Sequence, residues 1–295
     1  IVEMTVPYEK AESVLKTIYK TAEDSGQVQK ICISGFDAYS TSAEREECIR
    51  ALCETNYATV HLYPAAFEDV ANLLAEAICR RAELCPEETM DVFLCVNSIR
   101  PAQFFENVIR GQLRTPEQTR YFEQKVGLVE TLTYRNAFRG TPELLAEDPE
   151  AVIASDYARL PIDGEAVKGE IPIPAMIPLD KFQGRAVNKI WNINMRHYTL
   201  ALYTFYQGDA LMWKGAVNPY NRYCTKKAAE EATFAVMREF GFTYEELKKG
   251  DRNQNDEDWW KRCSNPEDTD TVRRVAADPI RKLAKGERLL GPALC

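Results

Sequence analysis

Along the first half of the chain, short apolar runs alternate with longer stretches whose apolar residues recur at helical spacing. Residues 30–34, 58–63 and 91–96 read as strands, and 43–53 and 67–84 read as helices between them. Further upstream, residues 1–6 (IVEMTV) are strand-like and 8–24 carry a helical pattern. Alternation of this kind is what a mostly parallel sheet with crossover helices requires. Residues 114–124 add a short polar helix, 126–135 a strand, 141–149 a loop of acids and prolines, and 155–163 another strand. Prolines at 172, 174 and 178 exclude regular helix or central strand from IPIPAMIP, which reads as an extended lead into a long helix.

The second half has a different texture. Residues 184–206 (GRAVNKIWNINMRHYTLALYTFY) form that long, aromatic-rich helical pattern, and 225–240 a second one that Gly241 terminates. Residues 244–249 and a strongly polar stretch at 250–258 come next, with Trp259 and Trp260 as apolar anchors. The fold class is therefore an α/β Rossmann-like N-terminal domain and a mainly α-helical C-terminal domain, divided as 1–165 and 166–295 with the boundary in the 164–180 region. No G-x-G-x-x-G occurs, so the first βα unit of such a domain is missing from this sequence. Either the chain is truncated there or it is a member that has lost cofactor binding.

Composition narrows the function. A formal charge of −8 and a pI near 5.1 argue against a nucleic-acid scaffold. No apolar run is long enough to span a bilayer and no signal peptide is evident, which predicts a cytoplasmic protein, monomeric or a small homo-oligomer. Nine cysteines without a C-x-x-C pair read as reduced structural thiols. With only His61 and His197, a histidine-rich metal centre is excluded, and no metal site is expected.

The long helix at 184–206 carries the chemistry. At about 100° per residue, Lys189, Asn194 and His197 fall at roughly 0°, 140° and 80° around its axis, so one face could offer all three to a cavity. An amine, a carboxamide and an imidazole on a rigid element suit proton transfer to a bound hydroxyl; a solvated edge or a satisfied core triplet accounts for the same residues. Asn97 follows the strand at 91–96, where residues line the crevice of an open α/β sheet, although asparagine there is also a common turn former. The tail holds Arg273, Arg274, Arg281, Lys282, Lys285 and Arg288, cations suited to phosphate or carboxylate or to ordinary surface pairing. His61 reads as a packed or hydrogen-bonded structural residue.

Lys-x-x-x-x-Asn-x-x-His, here Lys189, Asn194 and His197, resembles the signature of the polyol-specific long-chain dehydrogenase/reductase family. The tail DTVRRVAADPIRKLAKGERLLGPA, residues 270–293, is similar to its sugar-phosphate branch, the mannitol-1-phosphate 5-dehydrogenases. The resemblance covers residues 30–295. It implies a metal-independent, NAD-linked interconversion of a polyol, or a hexitol phosphate, with a ketose. Lys189 would be the general base, Asn97 and Asn194 would donate to the developing oxyanion, and His197 would orient a substrate hydroxyl. Arg274, Arg281, Lys282 and Arg288 would bind substrate. Two departures stand out: Val96 replaces an acid that precedes the family's asparagine, and Tyr63 stands where family members carry a glycine that lets a dinucleotide approach. A free-polyol dehydrogenase or uronate reductase is the alternative within the family, and a catalytically silent sugar-binding relative the alternative outside enzymology.

Overall fold

The computed structural model describes residues 17–21, 28–32, 36–134, 137–149, 151–155, 159–249, 256–266 and 270–295. The strand read at 1–6, residues 8–16 and 22–24 of the helical pattern and residues 250–255 of the polar stretch lie outside these residues, as do 33–34, 135 and 156–158 of the strands read above. The chain divides into two compact units, Ile1–Asp180 and Lys181–Cys295.

In the first unit the described strands are β1 (Thr17–Thr21), β2 (Val28–Cys32), β3 (Tyr57–Val60), β4 (Met90–Leu94), β5 (Val126–Glu130), β6 (Ala137–Arg139), β7 (Val152–Ser155), β8 (Leu160–Ile162) and β9 (Met176–Pro178). The helices are α1 (Arg45–Cys53), α2 (Phe67–Leu84), α3 (Pro101–Gln112), α4 (Pro116–Lys125) and α5 (Pro142–Glu147). Strands β3, β4 and β5 form a parallel sheet in that order, joined by helical crossovers as the alternation predicts. Its register levels Val60, Leu94 and Glu130 at the carboxyl edge.

β4 shows why this sheet forms. All five of its residues are buried, as a central parallel strand requires. Met90, Val92 and Leu94 pack with Phe67, Leu74, Ile78, Phe105 and Ile109 from α2 and α3, while Phe93 packs with Val129, Ile162 and Met176. Asp91, between them, is buried and accepts from the amides of Lys168 and Gly169. Arg81 of α2 is fully buried, and its guanidinium donates to the carbonyls of Cys53, Thr55 and Thr89 and to the Tyr121 hydroxyl. It ties the carboxyl end of α1 to the start of β3 and β4 by strong, charge-assisted bonds.

Three local expectations are corrected. β1 occupies residues read as helical, because it pairs antiparallel with β2 and parallel with β7, partners that local periodicity does not reveal. These strands form a separate four-stranded sheet, ordered β2-β1-β7-β6, so residues 28–32 do not open the parallel sheet. Within the stretch read as a loop at 141–149, α5 forms, its first turn capped by the Thr141 hydroxyl accepting from the Leu144 amide.

The second unit is helical: α6 (Phe182–Asn188), a π-helical segment (Lys189–Asn194), α7 (Met195–Tyr206), α8 (Met212–Ala216), α9 (Pro219–Phe240), α10 (Tyr244–Lys249), α11 (Asp256–Cys263), α12 (Val272–Ala276), α13 (Pro279–Lys282) and α14 (Leu290–Ala293). Asn218 caps α9 by accepting from the amides of Tyr220 and Asn221, and Gly241, in left-handed geometry at φ 64°, ends it. Leu200 and Ala201 of α7 share a core with Met212, Ala216, Trp259, Cys263, Val272 and Val275. The tail is thereby fastened beside α7.

Candidate functional site

The helix bearing Lys189, Asn194 and His197 runs without a break from α6 to α7, but its middle turn is π-helical across Lys189–Asn194. The α-helical angles assumed from sequence do not hold there. Bonds from i to i+5 wind the chain more slowly than bonds from i to i+4, and such bulges recur at functional sites. The fifth residue on from Lys189 therefore returns toward Lys189's own side, instead of standing roughly 140° away as in an α-helix. His197, three residues beyond Asn194 in regular α-helix, lies along the same side.

Ile190, Trp191, Met195 and Tyr198 are buried, whereas Lys189, Asn192, Ile193, Asn194, Arg196 and His197 are half-buried. Asn192 donates to the Thr233 hydroxyl of α9 at 2.6 Å, and Trp191 donates its indole N–H to the Gly286 carbonyl at 2.7 Å. A Cβ on Gly291 would lie 2.3 Å from that same indole nitrogen, so the tail presses on the π turn with no room to spare.

The tail cations gather at α7. Lys282 is buried, donates to the Val275 carbonyl at 2.8 Å and stands 5.5 Å over the Tyr198 ring, with the Arg288 guanidinium 6.0 Å from the same ring. Burial first, then the neighbouring Arg288 and Arg281, push the Lys282 ammonium down to about 8. Arg288 is buried against Glu287, and Arg281 reaches Asp278 at 2.5 Å and Glu287 at 3.5 Å. Arg274 grips Asp270, four residues before it, by a bidentate pair in which Nε donates to Oδ1 and Nη2 to Oδ2. Asp270 in turn lies 3.6 Å from His197 Nε2. Sequence reasoning passed over Asp270 and Tyr198; the Asp270 and Arg274 pair at i, i+4 at the head of the tail was the available signal.

Asn97, in the first unit, is exposed in the loop after β4. Close by, the buried Glu130 carboxylate accepts from the Ala102 amide in the first turn of α3. Tyr63 stands 87% exposed after β3. His61 keeps an exposed face, while the protein around it lowers its imidazole pKa by desolvation. Among the described residues there is no group of three or more His, Cys, Asp or Glu that could hold a metal, and no helix long and apolar enough to cross a membrane.

The sequence model of the mannitol dehydrogenase Rossmann domain matches residues 9–175, more than half of the chain. The chain belongs to the mannitol dehydrogenase family. Solved structures agree on the fold. One is the Pseudomonas fluorescens mannitol 2-dehydrogenase ternary complex with NAD and D-mannitol, at TM-score 0.70 and 14% identity, covering 89% of this chain and 60% of that one. Another is D-sorbitol dehydrogenase in substrate-free form, at TM-score 0.67 and 16% identity, covering 92% of this chain and 63% of that one. This family member thus spans less than two thirds of the length of either neighbour.

Proposed function

We propose that the protein catalyses a metal-independent, NAD-linked interconversion of a polyol with the corresponding ketose. The observation that supports this reading is the π-helical turn at Lys189–Asn194, whose slower winding favours an amine, a carboxamide and an imidazole on one side of a braced helix. Lys189 takes the hydroxyl proton as the alcohol is oxidised, a role open to lysine only as the neutral amine. Asn194 donates its amide to the oxygen as negative charge develops, and Asn97 is assigned the same duty by the family resemblance. His197 holds a neighbouring hydroxyl and so fixes which carbon reacts.

The carboxyl edge of the β3-β4-β5 sheet is where a nicotinamide cofactor would lie, with Tyr63 at the position where the family's glycine admits the dinucleotide. Residues 61–63 and 97–100 end adjacent parallel strands there, with Tyr63, Asn97 and Arg100 exposed, and these loops would hold it. When bound, NAD supplies the acceptor for the hydride leaving the carbinol carbon.

The substrate we favour is a hexitol phosphate such as mannitol 1-phosphate, because three cations, Lys282, Arg288 and Arg281, cluster near α7 with two acids, Asp278 and Glu287, among them. A free polyol is the second reading, favoured by the engagement of Arg274 with Asp270 and of Arg288 with Glu287. A spectrophotometric screen of polyols and polyol phosphates with NAD and NADP, on the intact gene product, tests both. Turnover of a phosphate ester at far lower KM than its free polyol supports the first reading, and the reverse supports the second. Absence of turnover with all of them, together with stabilisation by sugar alone, supports a silent binder.

A further inference from the structure

We propose that Asp270 is a positioning residue for His197: its carboxylate, itself fixed by Arg274, faces the imidazole at Nε2 and sets its orientation. The proposal rests on the placement of His197 in the site argued above. Asp270 is well suited to hold another group in place. Its carbonyl accepts from the Met212 amide, Thr271 beside it bridges to Leu211, and Val272 and Val275 are buried against α7. Its side chain is only 6% exposed, so the charge sits where water screens it weakly. Arg274 satisfies both carboxylate oxygens, which a buried charge of this kind needs.

The imidazole meets Asp270 through Nε2 at 3.6 Å, beyond hydrogen-bond length and well within Coulombic reach. Trp259 of α11 presents its ring at 6.3 Å and nearly perpendicular, closing the imidazole from a second side. Charged groups near His197 among the described residues include Asp270, with Arg274 paired to it, and Arg196 of its own helix, whose guanidinium lies 6.0 Å over the Trp259 ring. Asp270 favours the imidazolium and the two arginines oppose it. The tail motif thereby reaches the site through a carboxylate as well as through its cations.

The chain has two histidines, so ring C–H resonances followed by NMR against pH report His197 directly once a His61→Gln variant assigns the other. Asp270→Asn is expected to lower the His197 pKa by about one unit, and Arg274→Gln to raise it by roughly half a unit, because the freed carboxylate then acts on the imidazole alone. Opposite signs from two substitutions in one ion pair are not produced by general loosening. In steady-state assays on the intact protein, Asp270→Asn is expected to lower kcat about tenfold and shift the acid limb of the pH profile down with the NMR value, and Asp270→Glu to recover part of the rate. An unchanged His197 titration in both variants overturns the proposal. Full activity in His197→Ala overturns instead the assignment of His197 to the site, whatever the titrations show.

Discussion

A lysine that is buried, touches two arginines' fields and still binds a proton at neutral pH should make the protein's stability depend on pH in a particular direction. Lys282 is that residue: 8% exposed, hydrogen-bonded to the Val275 carbonyl, with its ammonium pushed down to about 8. In the unfolded chain a lysine titrates near ~10.4. Below pH 8 both states hold the proton, and the folded state bears the cost of burying it. Between the folded and unfolded values the unfolded chain binds the proton and the folded chain does not, so stability rises with pH across that window. The whole interval would correspond to ~3 kcal/mol, and screening by solvent around the cluster reduces this to about 1–2 kcal/mol. Lys282→Met keeps the aliphatic packing and removes the titration. The free energy of unfolding of wild type minus that of Lys282→Met, from urea titrations at pH 7 and pH 10, should therefore increase by about 1–2 kcal/mol with pH, since other titrating groups cancel in the difference. A difference that stays flat or falls refutes the reasoning.

Other perturbations probe the frame around the site. Gly291→Ala would drive a Cβ into Trp191, at 2.3 Å from its indole nitrogen, and should lower stability by about 1–3 kcal/mol, read as a fall in Tm by calorimetry. Arg81→Met strands the carbonyls of Cys53, Thr55 and Thr89 in the interior and should cost about 3–5 kcal/mol in chemical denaturation. Thr115→Ala removes one half of the capping box at α4, where the Thr115 hydroxyl accepts from the Gln118 amide, and should cost about 1 kcal/mol with activity unchanged.

Some of this was written in local sequence. α2 falls on residues 67–84 as read, because Phe67, Ala71, Leu74, Ala75 and Ile78 repeat at helical spacing against one core. β4 was legible as a short continuous apolar run. α3 was missed although Pro101 opens it and Phe105 and Ile109 are buried four residues apart, so the signal was present and unused. β1 was misread as helix although its antiparallel partner β2 follows closely in sequence; only its second partner, β7, lies far along the chain. The π turn is the instructive case. Lys189, Asn194 and His197 stood out through their likeness to the family signature, but an α-helix and a π turn share one polar pattern, and only the backbone bonding decides which side Asn194 occupies. Asp270 escaped for a related reason: an acid four residues before an arginine reads as a surface pair until tertiary packing buries it at His197.

Proton transfer by Lys189, at the start of the π turn, is the step on which the proposed function depends. Its most direct test is kcat for NAD-linked polyol oxidation by Lys189→Ala beside the wild type, with Tm measured on the same samples. A fall in kcat of about 10²–10⁴-fold at nearly unchanged Tm is expected, and a turnover equal to wild type would remove Lys189 from that role.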